Sequence, residues 1–510
     1  MKRFKSMFLV MALSLTGSSL AMAQGGPDYA AIQVDAGATV GELKALRGVN
    51  GAPDMTYAPS AASNERRPLD LASQYRAAGI TLVRTHDSGG AADIDPTTGT
   101  LPVIKAPLPP GGPTDPMLVI FPDLNANPDD PKSYHFEATD KLIAGIRSIG
   151  ADVIFRLGRG GGTTAVPPDP ARYGAIVRHI VLHYNKGWDN GFTGAVRYWE
   201  FWNEPDLFQI WWRGTPEQFY ELYGSVAQSV KAADPAAQVG GPTVALSYGK
   251  GPFRDGFLTY VSEKRLPLDF FSWHWYSIAN DPYDFARIGT SLKGVLTAHG
   301  LVHTKLVLDE WNGNVMFGMK DDANQAAFIT AARIYMQDAP IDLEAFYRSD
   351  SFWGRDGKTP SKAAQALNVF GMIADARTRL RTSGGDTQGL AVQAGRAPDG
   401  TIKILIGNYE LPADQRGPRQ GPDALSMGGL TMDLPSRQAP NYTRNKGYDL
   451  KVAGLKPGAR YVVERYRIST TNDLGLIDRQ TLTGAQLAMS NALPAPAVEL
   501  IVVRPEALRR

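Results

Sequence analysis

Trp-Asn-Glu-Pro-Asp at residues 202–206 and Asp-Glu-Trp-Asn at residues 309–312 each place a glutamate at the end of a short apolar run. Short runs of β-branched, aromatic and aliphatic residues are typical of strands buried inside a parallel sheet. Glu204 and Glu310 are therefore predicted to lie at the carboxyl ends of two buried strands, on the same edge of one sheet.

The same pattern extends outward from both motifs. Between residues 47 and 375, short apolar runs alternate with helical patterns, which indicates repeated β/α units. Eight such units close into a (β/α)8 TIM barrel, whose active sites lie at the carboxyl ends of the strands. The predicted strands are Arg47–Asn50, Ile80–Thr85, Asp152–Leu157, Val196–Trp202, Gln238–Gly241, Asp269–His274, Lys305–Glu310 and Asp342–Tyr347.

Helical segments separate these strands. Thr215 followed by Pro216 and Glu217 has the cap residue and first-turn proline that are typical of a helix start. Predicted helices include Phe136–Ile149, Pro170–Tyr184, Pro216–Ala233 and Ala323–Gln337.

The connection between the second and third predicted barrel strands is longer than the others. Residues 96–131 contain ten prolines and cannot form a helix. Long loops of this kind in compact domains are usually functional, and this one leaves the carboxyl end of the second barrel strand. We interpret it as a wall or lid of the site, with a surface insertion as the alternative.

The ends of the chain predict three further segments. Residues 376–510 carry alternating and β-branched runs separated by Gly, Pro and Asn, which predicts an accessory all-β sandwich. Residues 24–46, ahead of the 47–375 barrel, are predicted to contribute a strand to that sandwich. Residues 1–23 combine basic residues, a short apolar run and a small-residue cleavage site, which predicts a signal peptide and export, either to the periplasm or out of the cell.

Composition narrows the class of protein. The chain has no cysteine, so neither disulfides nor cysteine-ligated metals can form. A formal charge of +2 gives no support for nucleic-acid binding, and no apolar run is long enough for a permanent membrane anchor.

Two facing carboxylates suit one chemistry in particular. Cleavage of a glycosidic bond requires one carboxyl group to donate a proton and another to stay ionised. Tryptophan and asparagine beside Glu204 and Glu310 offer apolar faces and hydrogen bonds to a sugar. Each glutamate has a structural alternative, as a helix cap or an ion pair, but two matches on facing strands favour a glycoside hydrolase.

These motifs resemble glycoside hydrolase family 39, a clan A family that includes β-xylosidases and α-L-iduronidases. The resemblance rests on Trp202–Pro205, Glu310–Asn312, Val83–Asp87, Ser272–Tyr276 and Gly214–Glu217. It implies a retaining mechanism with Glu204 as acid/base and Glu310 as nucleophile. It also implies substrate contacts, for which the candidates are Asn203, His86, Asp87, His274, Tyr276 and Trp311.

Asp309 is a rival to Glu310 as nucleophile. Neighbouring residues on a strand point to opposite faces, so we expect only one of the two to face the barrel axis. We assign that position to Glu310 and a structural role to Asp309. No metal or other cofactor is predicted, because His86 and His274 belong to no metal-binding motif.

The substrate is the open question. The resemblance implies a β-xyloside-type bond in a poly- or oligosaccharide as the expected substrate. However, Arg348 stands where family 39 xylosidases have an aromatic residue, and an arginine there could bind the carboxylate of a uronic acid. An arabinose-, galactose- or uronic-acid-containing glycan remains an alternative, as does a carbohydrate-binding protein without catalysis.

Overall fold

The computed structural model describes most of the chain. The segments that correspond to the predicted signal peptide and to residues 96–117 of the proline-rich connection lie outside the described residues. The described ranges are 28–53, 70–86, 88–95, 118–159, 166–208, 210–277, 280–313, 322–348, 350–353, 357–410, 425–427, 430–432 and 446–506.

Eight parallel strands form a closed barrel in the described part of the chain, which confirms the predicted TIM-like barrel. The strands are β2 (Gly48–Asn50), β3 (Leu82–Arg84), β5 (Asp152–Leu157), β6 (Tyr198–Phe201), β7 (Gln238–Val244), β8 (Phe270–Ser277), β9 (Lys305–Gly313) and β10 (Leu343–Phe346). Each strand pairs with its neighbours along the chain, and β10 closes the barrel onto β2.

The helices lie between these strands. They are α1 (Ala72–Ala77), α2 (Glu137–Ser148), α3 (Pro170–Lys186), α4 (Pro216–Ala233), α5 (Pro252–Lys264), α6 (Asp284–Ala298), α7 (Asp322–Met336) and α8 (Lys362–Met372). At α4 the Thr215 side chain accepts a hydrogen bond from the Gln218 backbone, and the Gln218 side chain bonds back to Thr215. This capping box satisfies two backbone groups that the helix start leaves without partners. Within the described residues, no helix is both long and apolar enough to cross a bilayer.

The barrel interior is layered. The lower layer is an apolar cluster that includes Leu82, Ile154 and Val307. Residues two positions further along the same strands point to the same side, so Arg84, Arg156 and Asp309 form a buried polar layer above it. The polar layer lies beneath the carboxyl ends of the strands, where the two motif glutamates lie.

A nine-stranded sheet packs beside the barrel. Its strands are β1 (Tyr29–Glu42), β11 (Thr378–Ser383), β12 (Leu390–Arg396), β13 (Ile402–Asn408), β16 (Gly447–Ala453), β17 (Arg460–Ser469), β18 (Gly475–Thr483), β19 (Leu487–Ala492) and β20 (Ala497–Pro505). The short strands β4 (Gly89–Ala92), β14 (Leu425–Met427) and β15 (Leu430–Met432) lie outside it.

The sandwich prediction is confirmed in part, because the strands belong to one continuous sheet that curls over itself. The order is β18-β17-β20-β13-β12-β11-β1-β16-β19, yet Arg467 on β17 donates to the carbonyl of Ala492 on β19 at 2.8 Å. The second strand from one end of the sheet therefore meets the last strand at the other end. Alternate residues of the central strands, such as Ile404 and Ile501, fill the core between them.

The opposite face of the sheet contacts the barrel through α7. Phe328 meets Tyr409 edge-on at 5.6 Å, and the Tyr335 hydroxyl accepts a hydrogen bond from the Gly389 backbone. Leu405 and Leu500 on the sheet belong to the same apolar core as the barrel helices.

Barrel closure predicts a position that tolerates only glycine. A Cβ atom on Gly48 would lie 1.8 Å from the Glu344 carbonyl oxygen of the paired strand β10. We expect Gly48→Ala to lower the free energy of unfolding by about 1–3 kcal/mol or more, the cost of overpacking. Gly294→Ala is the control, because Gly294 lies in α6 with no atom within 4 Å of its Cβ position. It should instead stabilise by about 0.5–1 kcal/mol. Denaturant unfolding measures both, and equal effects would contradict the closure argument.

Candidate active site

A tight turn after β6 carries Glu204 to the barrel mouth. Trp202 and Glu204 adopt positive φ angles of 74° and 47°, which cost energy for residues with a side chain. The backbone N–H of Glu204 donates to the carbonyl oxygen of Thr243 at 3.1 Å, and the Trp202 indole donates to the Trp211 carbonyl at 3.0 Å. Gly158 lies against the Trp202 ring, where a Cβ atom would come within 2.6 Å. These contacts fix the turn and therefore the position of Glu204.

An irregularity in β9 brings two acids into the site. Trp273 of β8 pairs with Leu308, but the next residue, His274, pairs with Glu310. Asp309 is thus an extra residue in β9, and such bulges re-aim side chains next to active sites. The prediction that only one of Asp309 and Glu310 faces the barrel axis was wrong, because strict alternation does not survive the bulge.

Arg84 lies at the centre of the site. It is fully buried, and its Nε lies 2.5 Å from Glu200 Oε2 and 3.2 Å from Asp309 Oδ2. Its Nη1 lies 3.0 Å from Glu310 Oε2, and its Nη2 donates to Asn203 Oδ1 at 2.9 Å. Burial works against the charged guanidinium, but the three carboxylates outweigh it and raise the pKa of Arg84. One side chain therefore ties together four residues from β6, its following turn, and β9.

His274 connects the two motif glutamates. Its Nδ1 lies 2.9 Å from Glu204 Oε1, and its Nε2 lies 3.1 Å from Asp309 Oδ2 and 3.7 Å from Glu310 Oε2. Burial disfavours a charged imidazole, but the charges of Glu310 and Asp309 outweigh it and raise the pKa of His274 well above its usual value. The carboxylates around the ring therefore stabilise its protonated form.

Opposing influences act on the pKa of Glu310. Burial is the main cause that raises the pKa of Glu310 to about 7, and the nearby charge of Glu204 adds to it. The positive charges of His274 and Arg84 and a hydrogen bond from the Tyr276 hydroxyl act in the opposite direction. Burial and the Glu310 charge also raise the pKa of Tyr276, which keeps its hydroxyl a donor.

The two motif carboxylates lie close together. One oxygen of Glu204 and one of Glu310 lie within 4.8 Å of each other. Retaining glycosidases hold these groups about 5–5.5 Å apart, whereas inverting ones need about 6.5–9.5 Å to admit a water. The spacing fits direct attack on a sugar carbon.

Glu204, His274 and Glu310 could in principle hold a metal ion, since their ligand atoms lie within 4.8 Å of one another. The surroundings do not suit a cation. Both His274 nitrogens already face carboxylate oxygens, and the Arg84 guanidinium lies 3.0 Å from Glu310. A divalent ion would have to displace or repel these positive charges.

The structure places the other predicted substrate contacts in different surroundings. Asn203 is held by Arg84, and His86 Nε2 lies 3.7 Å from Glu310 Oε2. Arg348 is buried and close enough to His86 for its charge to lower the pKa of that imidazole, after the larger effects of burial, Arg84, Arg156 and His274. Asp87 lies outside the described residues.

The predicted sugar contact of Trp311 is wrong. Its indole is fully buried, donates to Glu344 Oε2 at 2.5 Å, and packs edge-on against Phe285 and Phe346. Beyond the bulge, β9 resumes its alternation, so Glu310 faces the site and Trp311 faces the surrounding helices.

Three acidic residues of the site were not predicted as functional. Glu200 and Asp309 contact Arg84, and the Asp206 carboxylate accepts hydrogen bonds from the backbone of Ala245 and Leu246 at 3.0 and 2.7 Å. Burial raises the pKa of Asp206 to about 6. The signal for Glu200 was present in the sequence, since a charged residue inside the buried run Tyr198–Phe201 requires a partner.

Comparisons with known proteins agree with this geometry. Residues 165–288, which include Glu204, His274 and Tyr276, match the model of glycosyl hydrolases family 39. A solved glucosidase from Croceicoccus marinus is 33% identical, with a TM-score of 0.78, and the match covers 94% of this chain and 100% of that one. The chain belongs to glycosyl hydrolases family 39. This confirms the predicted family and enzyme class, a retaining glycoside hydrolase.

Two further comparisons are with β-xylosidases. The β-xylosidase of Geobacillus stearothermophilus is 33% identical over 118 residues, which span only 23% of this chain and 22% of that protein. A solved β-xylosidase from Caulobacter crescentus covers 94% of this chain at 16% identity and a TM-score of 0.61, which supports the fold alone.

The contacts of Arg84 predict a pH-dependent loss of stability. Arg84→Met leaves Asp309 and Glu310 buried without their cation, and breaking a buried ion pair costs about 3–5 kcal/mol. The loss should be smaller at pH 5 than at pH 8, because protonation of the stranded carboxyl groups relieves it at low pH.

Arg147→Met is the matched control. Arg147 forms a half-exposed ion pair with Asp152 at 3.3 Å, and such pairs contribute only about 0–1 kcal/mol. Denaturant unfolding of both variants at the two pH values checks the prediction. A loss at Arg84 that does not grow with pH would contradict the assigned charges.

Proposed function

We propose that the protein cleaves β-xyloside-type or closely related glycosidic bonds in oligo- or polysaccharides by double displacement. In this proposal Glu204 is the acid/base and Glu310 is the nucleophile. The observation that carries it is the pair of carboxylate oxygens within 4.8 Å of each other at the mouth of a family 39 barrel.

In the first step, Glu310 attacks the anomeric carbon while Glu204 gives its proton to the departing glycosidic oxygen. A covalent glycosyl–Glu310 ester forms as the glycosidic bond breaks. In the second step, Glu204 takes a proton from water, the water oxygen bonds to the same carbon, and the ester breaks. Arg84 and Tyr276 each donate to Glu310, so they stabilise its negative charge before attack and after release.

His274 supports both states of Glu204. Its Nδ1 lies 2.9 Å from Glu204 Oε1. A protonated ring donates to the ionised carboxylate, and a ring protonated only on Nε2 accepts from the carboxylic acid. Asp309, 3.1 Å from Nε2, holds the ring in place in both cases. Asn203 accepts from Arg84 through Oδ1, which orients its amide N–H groups to donate to a sugar hydroxyl.

The substrate proposal has a second candidate. The Geobacillus relative is a β-xylosidase, but the Croceicoccus marinus relative, which is 33% identical and aligned over its whole length, is a glucosidase. A glucoside is therefore the second candidate. A glycan that contains a uronic acid remains a candidate substrate, because Arg348 is buried near His86. A glycan that contains arabinose or galactose also remains a candidate. Aryl xylosides, glucosides and uronides, compared by kcat/KM, separate these possibilities; binding without release on every substrate would favour the non-catalytic alternative.

We also propose that the protein is exported, which rests on the basic and apolar pattern of residues 1–23. Amino-terminal sequencing of the protein recovered from outside the cytoplasm should begin at Gln24. A mature protein that starts at Met1 would contradict export by this route.

The two glutamates should respond differently to azide. Glu310→Ala should lose nearly all turnover, and azide should partly restore it with a glycosyl azide of inverted configuration. Glu204→Ala should lose about 10²–10⁴-fold on substrates with poor leaving groups, and azide should restore it with retained configuration. Nuclear magnetic resonance of the products reads the configuration. Substantial activity in Glu310→Ala without azide would refute the assignment.

The pH profile should report the hydrogen bond between Tyr276 and Glu310. The nucleophile must be ionised, so kcat/KM should rise with pH through an acid limb near the Glu310 pKa of about 7. Tyr276→Phe removes a donor that favours the ionised form. Loss of about 1.5–3 kcal/mol for such a bond moves the limb upward by about 1–2 pH units.

Tyr223→Phe is the control, because it removes a buried hydroxyl that donates to the Pro267 carbonyl away from the site. Its acid limb should stay at the wild-type pH. An unchanged limb in Tyr276→Phe would mean that the hydroxyl does not stabilise ionised Glu310.

A further inference from the structure

Glu200 occupies an unusual position for an acid. It lies on β6 in the polar layer beneath the catalytic turn, with none of its side chain exposed. The charged or titratable groups that face it are Arg84 from β3, Arg156 in register on β5, and Asp309 from β9. It does not reach the space where a sugar would bind, so any effect on the reaction must pass through these neighbours.

If Glu200 and Asp309 were both ionised, each would have a buried oxygen without a hydrogen-bond donor. Glu200 Oε1 and Asp309 Oδ1 are buried and receive no donor from the described residues. The two carboxyl groups are neighbours that interact with each other, because Glu200 Oε2 and Asp309 Oδ2 lie 2.5 and 3.2 Å from the same Arg84 Nε. Two ionised carboxylates this close would repel, whereas a proton on one of them lets it donate a hydrogen bond to the other.

The donors around the pair indicate which acid holds the proton. Asp309 Oδ2 lies within 3.2 Å of Arg84 Nε and 3.1 Å of His274 Nε2, so two cations stabilise its charge. Glu200 contacts one cation, Arg84, at 2.5 Å. Asp309 is therefore the better anion, and Glu200 the better site for the proton.

We propose that Glu200 is a protonated positioning residue that donates a hydrogen bond to ionised Asp309 and so orders the catalytic pair from below. The inference rests on the proposed function. Through Asp309 it holds His274 against Glu204, and as a neutral group it leaves the Arg84 charge for Asp309 and Glu310. Burial, the largest effect, raises the pKa of Glu200 to about 8, in agreement with this arrangement.

The pKa of Asp309, the partner of Glu200, is shifted in the opposite direction. Burial works against the Asp309 charge, but His274 and Arg84 outweigh it and lower the pKa of Asp309. Two adjacent buried acids thus differ in the charge that they carry at neutral pH. Replacing each acid by its amide should therefore change activity to different extents at the two positions.

The test compares Glu200→Gln with Asp309→Asn. Glutamine can accept from Arg84 and donate to Asp309 just as a protonated glutamate does, so kcat/KM at neutral pH should stay within about threefold of wild type. Asp309→Asn removes a charge that two cations need, and kcat/KM should fall by about 100-fold or more. Glu200→Ala, which lacks the donor, should lose activity that the glutamine variant keeps.

Stability gives a readout that does not depend on catalysis. A carboxyl group whose folded pKa is raised stabilises the fold at low pH, and that contribution is lost as pH rises from about 4.5 toward 8. Glutamine carries no such dependence. The Tm of Glu200→Gln relative to wild type should therefore rise between pH 5 and pH 9.

The outcomes are distinct. A Glu200→Gln protein that fails to fold, loses as much kcat/KM as Asp309→Asn, or falls in relative Tm between pH 5 and pH 9 would show Glu200 to be an anion paired with Arg84. An Asp309→Asn variant of full activity would equally overturn the proposal. If wild type cleaves no glycoside, the proposed function fails, and the Tm profile still decides the protonation of Glu200.

Discussion

The mouth of the barrel depends on the burial of one guanidinium among acids. Arg84 contacts Glu200, Asp309 and Glu310, and its remaining N–H group holds Asn203. A planar fork of five donors can serve four partners in fixed directions, which a lysine ammonium cannot do. Since these acids come from β6 and β9, which are not neighbours in the barrel, Arg84 on β3 joins opposite walls of the site across its axis.

Backbone irregularities are concentrated where Arg84 and His274 meet the acids. Trp202, Glu204 and Thr243 have positive φ angles, and the register of β9 shifts by one residue between Leu308 and Glu310. Regular strands deliver one side chain in two to the interior. The turn and the bulge add Glu204 and Glu310 to the set that regular geometry would have provided, and so bring four acids into reach of two cations.

The sequence predicted the parts of this structure that follow from local periodicity. All eight barrel strands and the start of α4 at Pro216 could be read from apolar runs and a cap residue, because those signals depend on residues a few positions apart. The side-chain directions of Asp309 and Trp311 could not, since the bulge that sets them arises from pairing with β8. The sandwich, and a strand of residues 24–46 within it, were predicted, but its single curled sheet was not, because the strand order depends on pairings such as β1 with β11 and β16, hundreds of residues away along the chain.

A buried network of this kind is not explained by stability. Replacement of buried ion pairs by apolar side chains of similar volume is often neutral or stabilising, because desolvation offsets much of the attraction. The apolar layer one step below, with Leu82, Ile154 and Val307, shows that these strands can fill the barrel without charges. Arg84, Glu200 and Asp309 therefore have a cost that the fold alone does not require. What the network provides is a buried nucleophile, Glu310, kept within reach of donors, and an imidazole, His274, kept against its partner acid. The positions of Glu310 and His274 depend on the network. Charge burial therefore costs the fold free energy, but it holds the two reacting carboxylates in place for the reaction.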